Sequence, residues 1–347
     1  MRANNLSGLA LALACCALTG PSPSLAATPS TAPDLPGFTL EPDSTSVSGL
    51  SSGAFMAVQL QVAYSASIRG AGVVAGGPYY CAAGQLAYTG ICMGQVPLVP
   101  PNAALMAAAA RRYASLKQID ATSHLAQRRL YVFRGTADSV VGRSAVDATV
   151  SFFQQMGVPD SQVRYVHDIP AGHALITPTF GNACSANAAP YISHCEVHGH
   201  GYDQSGELLA HILGPLQPRA TSLAGKLLTF RQRTYAPADT GMADNAFLYV
   251  PPSCAAGQPC RVHVALHGCQ QSADQVGKDF VADTGYNEWA EHNRLLVLYP
   301  QVNASTRPYN PKGCWDWWGY TGSAYATRNG AQMKAIRAMV DALGRAR

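Results

Sequence analysis

The clearest chemistry in this chain lies at Gly49-x-Ser51-x-Gly53. A serine hydroxyl attacks a carbonyl carbon well only when a sharp strand-to-helix turn holds it clear of the backbone. That turn puts the serine in strained backbone geometry. Glycines two places before and after leave room where strand and helix would otherwise clash. The flanks fit this geometry. Ser44 to Ser48 reads as a short strand, and 54–64 reads as a helix with Met56, Leu60 and Ala63 on one face. The pattern alone is weak, and a Gly/Ser-rich loop is the plain alternative. Its context favours a nucleophile.

A serine nucleophile needs a base and an orienting acid. Arg129 to Phe133 reads as a buried strand running into Arg134-Gly-Thr-Ala-Asp138. An acid just past a parallel strand is where an α/β sheet presents its chemistry. Gln162 to Val166 forms the next strand, followed by Ile169-Pro-Ala-Gly-His173. The order Ser51, Asp138, His173 is the order that α/β-hydrolases use. His173 would take the Ser51 proton, and Asp138 would orient the imidazole. Asp147 and Asp168 do not sit on strand-end turns. His167 and His124 read as structural histidines.

The elements that must position these groups are incomplete near the nucleophile. An α/β-hydrolase normally builds several strands and an oxyanion loop before its serine. Here they appear at the other end of the chain. Arg261 to Leu266 reads as a strand followed by His267-Gly268-Cys269, and a His-Gly turn after a strand suits an oxyanion loop. A helix at 280–292, a strand at Leu295 to Tyr299 and a final helix carrying Met333, Ile336, Val340 and Leu343 follow. Residues 227–235 and 246–250 read as strands added to the same sheet. This is the order of a circularly permuted α/β-hydrolase: a mostly parallel central sheet, helices on both faces, one domain.

The length of 347 residues, 48% hydrophobic and 13% charged, supplies ample core for that domain. A net charge of +4 without a basic run gives nucleic-acid binding little support. Arg2, the apolar run from Leu9 to Leu18 and the small residues at Ser24 to Ala27 read as a secretory signal spanning 1–27. That apolar run is too short to span a bilayer. Ala12-Leu-Ala-Cys15 is a poor lipid-attachment site. The domain is then 28–347, with no separate polymer-binding domain.

Ten cysteines less Cys15 and Cys16 leave eight, an even number that suggests disulfides in an exported chain. Sequence-local pairs are Cys81–Cys92, Cys184–Cys195 and Cys254–Cys260, leaving Cys269 and Cys314. The segment His194-Cys-Glu-Val-His198-Gly-His200 holds zinc-type ligands, but its spacing matches no zinc motif well. A disulfide cysteine in a polar loop is the expectation, with no metal or other cofactor.

Taken together, Gly49-Leu-Ser-Ser-Gly53, Gly135-Thr-x-Asp138, Ala171-Gly-His173, Leu266-His-Gly-Cys-Gln-Gln271 and Gly313-Cys-Trp-Asp-Trp-Trp-Gly-Tyr320 resemble the extracellular poly(3-hydroxybutyrate) depolymerases with a circularly permuted catalytic domain. The resemblance covers nearly the whole mature chain. It implies a secreted serine esterase acting on a polyester polymer or oligomer, with Ser51, Asp138 and His173 as its triad. It also implies oxyanion donors at the Ser52 and Cys269 N–H groups. If Cys269 pairs with Cys314, the bond fixes the oxyanion loop against the Trp-rich segment. Trp315, Trp317 and Trp318 are the candidate substrate-binding side chains, with at least one facing the cleft. A monomer is expected. A feruloyl or acetyl esterase would use the same machinery on another ester. A non-catalytic protein with the same fold is the reading of a different class.

Overall fold

The computed structural model describes residues 31–345, so the expected signal at 1–27 lies outside the described residues. Among them, an eight-stranded sheet forms the centre. In chain order its strands are β1 (Leu40–Leu50), β2 (Ile68–Val74), β3 (Arg129–Phe133), β4 (Val163–Val166), β5 (Lys226–Arg231), β6 (Asn245–Val250), β7 (Cys260–Leu266) and β8 (Leu295–Tyr299). In space the order is β5-β6-β8-β7-β1-β2-β3-β4. The six strands from β8 to β4 run parallel. β6 pairs antiparallel with both β8 and β5.

Parallel strands covered on both faces read as continuous apolar runs, and every residue of β8 is buried. β1 is different. Its small polar side chains alternate with larger ones, and a strand's side chains point alternately to its two faces. Val47 lines a small space together with Leu60 of helix α1 (Ser52–Ala63), Tyr64 just past its end, and Ile336 and Val340 of α6 (Ala331–Leu343). Ser46 and Ser48 point the other way, toward His263 of β7 and Tyr286. Between α1 and α6 in the chain come α2 (Ala103–Ser115), α3 (Arg143–Gln155), α4 (Gln204–Leu213) and α5 (Tyr286–His292).

Three expected elements differ from the sequence reading, and the first is the short strand read at Ser44 to Ser48, which runs from Leu40 to Leu50. The helix at 280–292 is broken into Asp279–Asp283 and α5, because Gly285 takes a left-handed φ of 87° between them. The strand expected to reach Tyr235 ends at Arg231. There the buried Gln232 turns its side-chain amide to the Ala243 and Gln301 carbonyls.

The permuted order is visible where the ends meet. The Phe38 N–H, just before β1, donates to the Leu343 carbonyl at the end of α6 at 2.6 Å. β1 lies between β2 and β7, with Gly49 opposite Leu266. β1, which leads to Ser51, is thus flanked by one strand close in sequence and one more than two hundred residues away. All four expected disulfides form: Cys81–Cys92, Cys184–Cys195, Cys254–Cys260 and Cys269–Cys314.

Candidate active site

Ser51 sits at the junction of β1 and α1 with φ 56° and ψ −121°, a conformation that costs free energy unless its surroundings enforce it. They do enforce it. The Ser51 N–H is tied to the Val74 carbonyl at 2.9 Å, and its own carbonyl accepts from the N–H groups of Ala54 and Phe55. A Cβ on Gly49 would lie 2.3 Å from the Gly53 backbone, and one on Gly53 would lie 2.3 Å from the Leu266 carbonyl oxygen. Both glycines are therefore required by close packing.

Asp138 and His173 come from two loops strapped together. The Thr136 and Ala137 N–H groups donate to the Ile169 and Ala171 carbonyls at 2.8 and 3.0 Å. Asp138 Oδ1 accepts from the Val140 and Val141 N–H groups, which fixes the carboxylate. Its Oδ2 lies 2.9 Å from His173 Nδ1, with both side chains buried. A proton on Nδ1 donates to the acid and leaves Nε2 as the basic nitrogen. Ser51 Oγ has no hydrogen-bond partner among the described residues, so the His–Asp half of the expected relay is formed and the Ser–His half is open. Catalytic contacts of this kind often tighten only around substrate.

Asn187, which the sequence reading missed, braces this corner. Its Oδ1 accepts from the His173 and Ser139 N–H groups at 2.8 and 3.0 Å. Its Nδ2 donates to the Ala137 and Ser185 carbonyls, each at 3.1 Å. No motif surrounds Asn187, so nothing local could have flagged it.

The loop after β7 closes the other side. Val302 donates its N–H to His267 Nε2 at 3.0 Å, so the imidazole proton lies on Nδ1 and bonds the Gly268 carbonyl at 2.7 Å. Burial pushes the His267 pKa down to about 4, keeping it a neutral brace. Gln271 Oε1 accepts from the Gly268 N–H, while its Nε2 donates to the Pro190 and Tyr191 carbonyls. This side chain joins the oxyanion loop to the wall beside His173. The Cys269–Cys314 disulfide holds the same loop to the Trp-rich segment. The Ser52 and Cys269 N–H groups have no internal partner among the described residues.

Ser51, Ser52, His173 and Cys269 line one cleft of about 420 Å³. Its walls are largely apolar, with Leu86, Met93, Val140 and Val141 on the lining. Trp317 and Trp318 also line it, and Trp317 stacks on Phe55 with ring centroids 4.2 Å apart. Trp315 does not reach the cleft. It is completely buried, tilted against the His267 ring, so its expected substrate-binding role is corrected to a core one. The segment is pinned by Asp316, whose carboxylate accepts from the N–H groups of Gly319, Tyr320 and Thr321 and from the Thr321 hydroxyl. Burial raises the Asp316 pKa, opposed by those bonds. The zinc-type segment carries the expected disulfide: Cys195 is bonded to Cys184, and its thiolate is not available.

The strained serine, the His–Asp pair and two free N–H groups in an apolar cleft can perform acyl transfer on a neutral ester. Known proteins bear on which ester. The sequence model of the family described as esterase PHB depolymerase matches residues 245–345. The chain is 43% identical to a poly(3-hydroxybutyrate) depolymerase of Delftia acidovorans over 89% of its own length, and spans 61% of that relative. It is 40% identical to a polyhydroxybutyrate depolymerase of Talaromyces funiculosus, covering 87% of this chain and 90% of that one. A crystal structure of PHB depolymerase from Penicillium funiculosum superposes with a TM-score of 0.82 at 38% identity, covering 90% of this chain and 98% of that one. A second structure, of a PHB depolymerase variant complexed with an R3HB trimer, matches equally well. With similarity of this extent on a shared fold, the chain belongs to the poly(3-hydroxybutyrate) depolymerase family.

Proposed function

We propose that this chain is a secreted serine esterase that cleaves poly(3-hydroxybutyrate) and its oligomers, with Ser51, Asp138 and His173 as its triad. Ser51 Oγ attacks the ester carbonyl while His173 Nε2 takes its proton. The tetrahedral oxyanion is held by the Ser52 and Cys269 N–H groups, and losing one such donor typically costs roughly a hundred- to a thousandfold in rate. His173 then returns the proton to the leaving hydroxyl. Water enters by the same base and frees the acid. Asp138 stabilises the charged imidazole throughout.

The observation that carries this reading is the placement of a strained serine and a carboxylate-bound histidine on one apolar cleft walled by Trp317 and Trp318. Such a lining suits a neutral aliphatic chain. Four disulfides favour an oxidising compartment. Each of these groups comes from one chain, so the site needs no second copy to be complete.

The test is turbidity loss of a poly(3-hydroxybutyrate) suspension, with Ser51→Ala as control. Clearing by the wild type and none by the variant is expected. Clearing by the variant would remove Ser51 from the mechanism. No clearing by wild type alongside rapid hydrolysis of a short soluble ester would move the substrate to another ester class.

A further inference from the structure

Lys312, His173 and Tyr191 are the titratable residues on the lining of the cleft, and Lys312 is the one lysine or arginine among the described lining residues. It forms no ion pair among the described residues. Its position is fixed by the oxyanion loop: the Gln270 N–H donates to the Lys312 carbonyl at 2.7 Å, and two residues on Cys314 is bonded to Cys269. Gln270 lines the same wall. Its Oε1 accepts from the Tyr191 hydroxyl at 3.4 Å, which leaves its NH₂ as a second donor. A neutral polyester offers this ammonium only ester carbonyls along its length. Each chain carries one anionic group, the carboxylate at its acid end.

Resting on the function proposed above, we infer that Lys312, assisted by Gln270, binds the terminal carboxylate of short hydroxyacid oligomers and selects esters near that end. When Ser51 attacks, the fragment on the hydroxyl side becomes the acyl group on serine. The fragment on the carboxyl side leaves with a new hydroxyl, which receives the proton from His173. The carboxylate therefore stays with the departing fragment and does not enter the covalent chemistry. A charge-assisted contact against apolar walls is stronger than one in open water. Lys312 is itself exposed, so the preference is modest, on the order of fivefold.

The experiment compares a 3-hydroxybutyrate trimer as the free acid with the same trimer capped as its terminal primary amide. For each, kcat/KM for internal ester cleavage is measured by product chromatography. The acid-to-amide ratio cancels any general loss of activity in a variant. Wild type is expected to prefer the acid about fivefold at low salt, with the preference shrinking at high salt. Lys312→Gln should bring the ratio near one, Lys312→Arg should keep it, and Lys312→Glu should invert it. A ratio unchanged in Lys312→Gln, or a wild-type ratio of one, would overturn the inference while leaving the esterase intact. Failure to cleave either trimer would overturn the substrate reading and this inference together.

Discussion

Asn187 is a small residue with a large share of the geometry. One side chain ties the acid turn at Ala137 and Ser139 to the backbone of His173, and all its hydrogen-bonding positions are used. Removing it leaves the Asp138–His173 contact without its external brace. Asn187→Ala should lower kcat about 10- to 100-fold with KM nearly unchanged, because misplacing a catalytic group by about 1 Å costs that much. Steady-state kinetics on a soluble ester decide this; a kcat within a factor of two of wild type would show that the loops hold themselves. At this scale the sequence was legible where a motif fixes a role. Ser51, Asp138 and His173 stand out as candidates because each follows a strand in a recognisable order, and the structure sets Ser51 and His173 on one cleft with Asp138 bonded to the histidine. Asn187 could not, because its importance comes from a loop folding back over fourteen residues. Trp315 was misassigned for the same reason: adjacent tryptophans look alike in sequence, and only packing separates the core ring from those on the cleft.

Among the elements, β1 and β7 share a buried polar seam. His263 stands between Ser46 and Ser48, at 2.8 and 2.7 Å, and Ser48 also bonds the Tyr286 hydroxyl at 2.7 Å. An apolar strand pattern hides such a residue, because one histidine among valines does not alter the reading as strand. Burial pushes the His263 pKa down to about 3 and the His267 pKa to about 4. In the unfolded chain both return to an ordinary value near 6.5. Between those limits the unfolded state binds more protons, so stability rises with pH and the contribution is complete above about pH 6.5. As pH falls from there toward 4, both histidines draw the equilibrium toward unfolding. Urea midpoints measured across that window should drop more steeply for wild type than for His263→Gln, the difference in slope amounting to about one proton. Parallel curves would show that His263 charges in the folded state. Two strands are legible to the residue, since Arg129–Phe133 and Leu295–Tyr299 are continuous apolar runs, whereas β1, with its small polar side chains, is legible only in its middle. Two other boundaries moved at Gly285 and Gln232, where a backbone angle and a long-range amide contact decide the matter.

For the molecule as a whole, a solid polymer would have to be met by the exposed surface. Leu86 lines the cleft, and the segment beyond it exposes Leu98 completely and Leu105 by 69%. An apolar side chain left exposed in this way can serve as a contact to an apolar surface. Replacing Leu98 and Leu105 with serine should slow erosion of a poly(3-hydroxybutyrate) film several-fold, each leucine having up to about 2 kcal/mol of burial to lose. Hydrolysis of a soluble trimer should be spared. Equal losses on film and trimer would mean that these residues serve the fold and not adsorption.

The meeting of Phe38 with Leu343 has a consequence in time as well as in space. β1 is among the first strands to be synthesised, yet one of its two neighbours in the sheet, β7, follows more than two hundred residues later. Contacts that distant in sequence form slowly and late. Until β7 and the Cys314 segment have emerged, the nascent chain lacks the wall that carries Cys269, Trp317 and Trp318. Formation of the cleft is thereby coupled to synthesis of β7 and the Cys314 segment: fragments that stop short of them contain Ser51, Asp138 and His173, the proposed triad, and still have no cleft in which to use them.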